Sequence, residues 1–408
     1  MHISLDSALG RQRRLNSVGE SVLQIAPNAA AAYSLRSLTG GDPRVVRVRR
    51  GSNNVESDFT ASGVSSGALL DFVTTSQIGW NVQPTFSNAA GTGSITSQSS
   101  TATTATVSFT GEASLIRETS KPNHVLGSSG DQVIFNISVS GLDSSGTLRL
   151  RTSGTNTTVG SSSISNGNNQ DITLNLTGSA GYLAMTFAAS SGGTITFNSI
   201  KVLPKSGFVE TWYDQSGNSK DATQATANLQ PKIVNAGSLL TDGIDFDGTS
   251  QAGLITGSFS LTQAFTTFSV SHTDDASTTL GIWSTAASAT ANLNSASFFR
   301  NDDGFAVNAG ATLTTAGTIE YVADRTYLQT NVVNGGSSSV FVDGATGATG
   351  NAGSTNPSGI LIIGYFKTGN YFNLDGAIKE LIIYDSDQTS NRAALETNIA
   401  AANGVTLS

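Results

Sequence analysis

The chain has 408 residues, 38% apolar and only 12% charged, with 44 Gly, 7 Pro and no Cys. Disulfides and thiolate metal sites are therefore excluded, and low charge with recurring apolar runs argues against disorder. Net charge is −8, but the first 50 residues hold eight arginines against three acids, a local +5 that leaves −13 for the remainder. A basic opening before an acidic body points to a first segment that docks on something acidic, or to arginines on a solvated strand face.

Residues 1–24, with Arg11, Arg13 and Arg14 in a stretch without period, read as an N-terminal anchoring arm. Met1-His2-Ile3-Ser4 does not begin a basic-then-apolar leader, and no run approaches the roughly 20 apolar residues of a membrane span. The expectation is a protein made in the host cytoplasm with no membrane partner. Residues 29–36, four alanines followed by Tyr33-Ser34-Leu35-Arg36, predict a short helix, since alanine is the best helix former. Residues 45–50 predict a strand whose arginines point away from an apolar face. Residues 67–73 predict another short helix or turn.

The texture changes at residue 76. Up to 204, short strands such as Val133-Ile134-Phe135-Asn136-Ile137-Ser138-Val139 and Thr147-Leu148-Arg149-Leu150-Arg151 are separated by Gly/Ser/Asn turns. Many alternate apolar and polar residues, as half-buried antiparallel strands do, and their spacing fits a jelly roll of about eight strands. Trp212-Tyr213-Asp214-Gln215-Ser216-Gly217-Asn218 then opens a second strand-rich region that closes in a helix over 390–403, where Arg392 and Glu396 stand at i, i+4.

Two stretches carry a resemblance. Tyr33-Ser34-Leu35-Arg36 with Arg47-Val48-Arg49-Arg50-Gly51-Ser52-Asn53-Asn54, and the 212–218 motif with Asp221-Ala222-Thr223-Gln224 and Gln230-Pro231, resemble the arabinofuranosidase B catalytic-domain superfamily. The tail, with Phe341-Val342-Asp343-Gly344 and Asp375-Gly376-Ala377-Ile378-Lys379-Glu380-Leu381, resembles a concanavalin A-like (laminin G-like) lectin domain. The resemblance implies an all-β chain: a concanavalin A-like sandwich over 25–75 plus 205–408, interrupted by an inserted carbohydrate-binding-like jelly roll over 76–204. Many relatives are phage structural proteins. It thus implies a virion fibre, spike or capsid decoration, bound to other virion proteins through its arm and homo-oligomeric, as a trimer by analogy with fibres.

The chemistry does not follow as readily. Glycoside hydrolysis needs two carboxyl groups flanking the bond, about 5–9.5 Å apart. Where the arabinofuranosidases carry an acidic pair beside vicinal cysteines, this chain has 280–288, without Asp, Glu or Cys; near the end, 363–368 also lacks an acid. The expectation is that the chain is not an enzyme. The alternative is a glycosidase acting on bacterial surface polysaccharide, with Glu210, Asp214, Asp221, Asp242, Asp245 and Asp247 as the remaining acids. Host surface glycans are the expected ligand, with Trp80, Trp283, Tyr365 and Tyr371 as candidate platforms, although sandwich aromatics more often serve the core. In the 212–218 motif, Trp212 and Tyr213 are expected to pack while Asp214, Gln215, Gly217 and Asn218 fix a turn.

His2, His124 and His272 have no ligand spacing, so no metal or cofactor is expected. Calcium would suit Asp302-Asp303-Gly304 or Asp242, Asp245 and Asp247, but turn chemistry explains these equally well. No groove-reading motif accompanies the arginines, which argues against a nucleic-acid partner.

Overall fold

The computed structural model describes residues 19–51, 54–75, 77–78, 85–90, 93–110, 115–118, 127, 129–152, 157–187, 192–249, 253–302 and 304–408. The chain is all-β, as its composition implies, with antiparallel strands throughout.

The larger sandwich has two layers. In the first, Ala345–Gly350, Ser338–Val342, Tyr327–Val333, Phe265–Thr273 and Asp375–Tyr384 lie side by side. Ala29–Ser34 and Ile244–Asp247 share the far edge of that last strand, each pairing with one half of it. The second layer runs Leu254–Ser260, Ser358–Ile363, Leu280–Ala286, Leu293–Phe299, Phe305–Asn308, Thr312–Thr314. Gly207–Trp212, paired with Arg44–Arg50, connects the layers through Ala222–Thr223 on one side and Lys232–Asn235 on the other. Trp212, Trp283, Tyr33, Phe246 and Phe265 fill the core between them.

Residues 29–34 form a strand, not the predicted helix. Ala31 and Tyr33 point into the main core, while Ala29 and Ala32 sit under the C-terminal helix Arg392–Asn403 with Phe268, Ile382, Leu395 and Ile399. Helix propensity is worth only tenths of a kcal/mol per residue, less than burying both faces of a strand. The small alanines let the helix approach closely. The stretch expected as an arm, 1–24, is packed at its described end. Arg11, Arg13 and Arg14 lie outside the described residues, but Val22–Ile25 is a short helix whose Val22 is fully buried against the body.

Strands between residues 77 and 203 build the second sandwich. One sheet is ordered Ser94–Ser100, Ala105–Thr110, Gly192–Leu203, Gln132–Ser140, Gly167–Asn175; the other is Phe86–Ala90, Leu115–Glu118, Tyr182–Phe187, Gly146–Arg151, Thr158–Ile164. Early and late strands interleave in both sheets, which is jelly-roll topology. Val107, Phe135, Ile137, Leu148, Leu183 and Phe197 make its separate core. The chain re-enters the larger sandwich at Gly207, where a Cβ would stand 2.7 Å from Val73 Cγ2. Only glycine fits there. Gly51 N donates to Ser206 O at 3.0 Å and Lys205 N to Asp131 Oδ1 at 2.7 Å, tying the junction.

Candidate functional site

The 212–218 motif is a clamp. Asp214 Oδ1 accepts from Ala32 N and Ser216 N, both at 2.9 Å, and Oδ2 accepts from Ser216 Oγ at 2.7 Å and Lys220 N at 3.0 Å. Gln215 Nε2 donates to Ser34 O and Arg36 O while its Oε1 accepts from Leu38 N. Asn218 Nδ2 donates to Ala29 O, and Gly217 supplies a φ of +89°. Asp221 accepts from Asp214 N. These polar atoms satisfy the backbone of the 29–34 strand and of the loop itself, so Asp214 and Asp221 are committed to holding that strand. Tyr213 donates to Asp58 at 2.6 Å, and burial together with that carboxylate pushes its phenol up to about 12.

Two of the predicted sugar platforms are core residues. Trp283 is fully buried in the middle of Leu280–Ala286, and Tyr365 is 1% exposed, its phenol pushed up to about 12 by burial. The 280–286 strand is buried along its whole length and the Tyr365 ring is covered, so these aromatics fill volume and cannot stack on a ligand. Trp80 lies outside the described residues. Tyr371 is half-buried and sits at the rim of a hollow.

That hollow is framed by a hairpin, Tyr365–Thr368 and Asn370–Asn373. Phe366 anchors it on the outside of the second layer, 5.0 Å from the Phe298 ring and stacked at 4.8 Å on Phe372. Tyr371 meets Tyr365 edge-on at 5.9 Å and carries Lys367 Nζ 5.1 Å above its ring. The hairpin faces the turns at 247–249 and 275–280 across about 570 Å³, lined by Tyr371, Phe372, Asn370, Thr249 and the carboxylates Asp247, Asp275 and Asp375.

The carboxylates differ electrostatically. Asp275 accepts from Ser277 N at 2.7 Å, Ser277 Oγ at 2.6 Å and Thr278 Oγ1 at 3.0 Å, which holds it below the usual carboxylate range. Asp375 is pushed up by partial burial and then by repulsion from Asp274, Asp275 and Asp247. The hollow therefore holds carboxylates in different electrostatic states. Half-buried rings and hydroxyl-sized polar partners are also what a sugar needs. The sequence singles out Tyr371 and Asp247 as site candidates and Asp375 only as part of the lectin-like tail, but not Asp275, Thr249 or Phe372. The only signal for these was Asp-rich turn chemistry, which most turns share.

Of the other expected acids, Asp242 and Asp245 share a separate hollow with His272, Asp274 and Asp324. Asp242 pairs with Lys379 at 3.6 Å, and burial raises Asp245. Asp302 pairs with Arg300 at 2.8 Å, and His272 with Asp274 at 3.1 Å. Among the described residues, no three His, Asp or Glu side chains are arranged to hold a metal ion, and no helix is long and apolar enough to cross a membrane.

No protein-family pattern matches the chain, and no curated protein matches it. Solved structures do. A Trypanosoma rangeli sialidase in complex with 2,3-difluorosialic acid is 13% identical over 49% of this chain and 32% of its own, with a TM-score of 0.36. A heptameric SAP-like pentraxin from Limulus polyphemus is 16% identical over 38% and 82%, at 0.31. A candidate carbohydrate-binding protein from Bacteroides ovatus is 12% identical over 72% and 79%, at 0.30. The chain thus spans about a third of the length of that sialidase. These matches correct one expectation: with glycosidases among the similar structures, the exclusion of catalysis is withdrawn. At such TM-scores no activity transfers to this chain either.

Proposed function

We propose that this protein binds glycans through the Tyr371 hollow. The observation that carries the reading is the hollow itself: the half-buried Tyr371 and Phe372 rings, with Asn370 beside them, facing Asp247 and Thr249, open to solvent and large enough for a saccharide. The C–H face of a pyranose would lie on the ring edges and its hydroxyls would reach the carboxylates. The resemblance to arabinofuranosidase B-like phage structural proteins supports a virion setting, with host surface glycans as ligands and the segment before residue 19 as the attachment to other virion proteins. A glycan array on the purified protein tests the binding. Tyr371→Ala is expected to remove the array signal with the thermal transition unchanged, and an unaltered signal would overturn the assignment.

A second reading rests on the carboxyls that line the same hollow. If Asp375 serves as acid beside an ionised Asp275, the same hollow cleaves the glycoside it binds. Reducing-sugar release on the array-positive glycan tests this. Asp375→Asn would abolish release and keep binding, whereas release that survives the substitution would refute it.

A further inference from the structure

Three neighbouring strands bring carboxylates to one end of the larger sandwich. Asp247 and Asp375 are register partners, the last pair of the ladder between Ile244–Asp247 and Asp375–Tyr384. Like charges directly opposite one another destabilise a sheet. On the other side, Asp274 N donates to Asp375 O at 2.9 Å, which brings the turn carrying Asp275 to the same end. The packing is tight: a Cβ on Gly248 would stand 2.9 Å from Asp375 Cβ, so the 247–249 turn lies on the Asp375 side chain.

The Tyr371 hollow is thus lined by Asp247, Asp275 and Asp375, and by no described Lys, Arg or His. The cations around it are engaged elsewhere. Lys367 stands over the Tyr371 ring and donates to Thr290 O at 2.8 Å. His272 pairs with Asp274 at 3.1 Å beside the neighbouring hollow, and Arg300 pairs with Asp302 at 2.8 Å. The lining keeps an excess of negative charge even with Lys367 counted.

Some of these oxygens are also free to accept. Asp275 is satisfied by Ser277 and Thr278, and Asp247 Oδ1 accepts from Thr249 N at 3.0 Å and Thr249 Oγ1 at 2.9 Å. Asp247 Oδ2 and the Asp375 carboxylate accept from no described donor. An ammonium would bring three donors and a compensating charge to them. A hydroxyl brings one donor and no charge, and a carboxylate would be repelled.

We infer that the hollow selects a hexosamine with a free ammonium group, drawn to Asp247 Oδ2 and the carboxylates behind it, with the sugar ring against Tyr371. The inference rests on the reading that this hollow binds glycans. Titration calorimetry of the whole chain with the glucosamine trimer tests it at about pH 6, where a primary amine is charged. The N-acetylglucosamine trimer serves as the neutral counterpart. The amine form is expected to bind at least tenfold more tightly, an advantage that shrinks with added salt. Asp247→Asn removes one of two facing like charges, which should leave the fold intact, and is expected to reduce that advantage severalfold. Equal or tighter binding of the N-acetyl trimer, or an amine advantage unchanged in Asp247→Asn, would overturn the inference. So would binding of neither trimer by a protein that still gives a Tyr371-dependent array signal, and that result leaves the glycan reading standing. No array signal at all would overturn both.

Discussion

The two sandwiches exclude water differently. In the jelly roll, Gln132–Ser140 turns Val133, Phe135, Ile137 and Val139 inward and leaves Asn136 and Ser138 on an open face. There Asn198 Nδ2 bridges Asn136 Oδ1 and Ser138 Oγ, both at 3.0 Å, beside water. In the larger sandwich the pattern is inverted. Phe268 and Val270 point outward under the C-terminal helix, while Thr267 points between the layers. Asn331 is buried there, donating to Thr267 Oγ1 at 3.1 Å and Ser297 Oγ at 3.3 Å and accepting from Gln329 Nε2 at 3.0 Å. Alternation marks which residues share a face; it marks the wet face only where one face is wet.

The largest test removes a core ring from each half. Trp283→Ala and Phe197→Ala should each cost about 3–5 kcal/mol, since both side chains are fully buried. Because the two cores are separate clusters, calorimetry should show each substitution lowering a different transition. A common shift would mean that the halves unfold as one unit.

A smaller effect sharpens the contrast. Asn331→Ala leaves buried polar partners without their hydrogen bonds and should cost about 2–3 kcal/mol. Asn198→Ala, on a face where water can replace the lost bonds, should cost about 0.5 kcal/mol. Denaturant midpoints at constant slope read both, and equal costs would erase the distinction between the two faces.

The smallest effects are electrostatic and opposite in sign. Arg47, Tyr213 and Arg44 hydrogen-bond to Asp58 and hold its carboxyl well below the usual range. Its stabilisation is therefore present above the unfolded value of about 4 and is lost as pH falls toward its folded value. Burial raises Asp245, so the folded state keeps that proton longer than the unfolded chain, and ionising Asp245 costs stability as pH rises above about 4. Asp58→Asn should lower the melting temperature at pH 7 and Asp245→Asn should raise it. Both differences should shrink toward pH 3, and melting curves from pH 3 to 8 check the signs.

Much of the strand content was legible because β-branched and aromatic runs recur between turn residues, and strands such as Gln132–Ser140 alternate cleanly. Residues 29–34 were not, because their alanines match a helix locally and only their two covering layers make them a strand. Trp283 and Tyr365 stood out as aromatics, but burial depends on what lies over the sheet. The Tyr371 hollow joins turns at 247–249 and 275–280 with the 365–373 hairpin, and nothing local says that these meet.

The sequence by itself determined an all-β chain, its main strand runs and the turn-forming character of the 212–218 motif, because backbone preference and period-2 patterning act over a few residues. Which faces lie under the C-terminal helix and which carboxylates share a hollow were decided only by the tertiary structure. Those properties belong to pairs of surfaces that the chain brings together from distant segments, and burial and charge pairing take their values only after they meet.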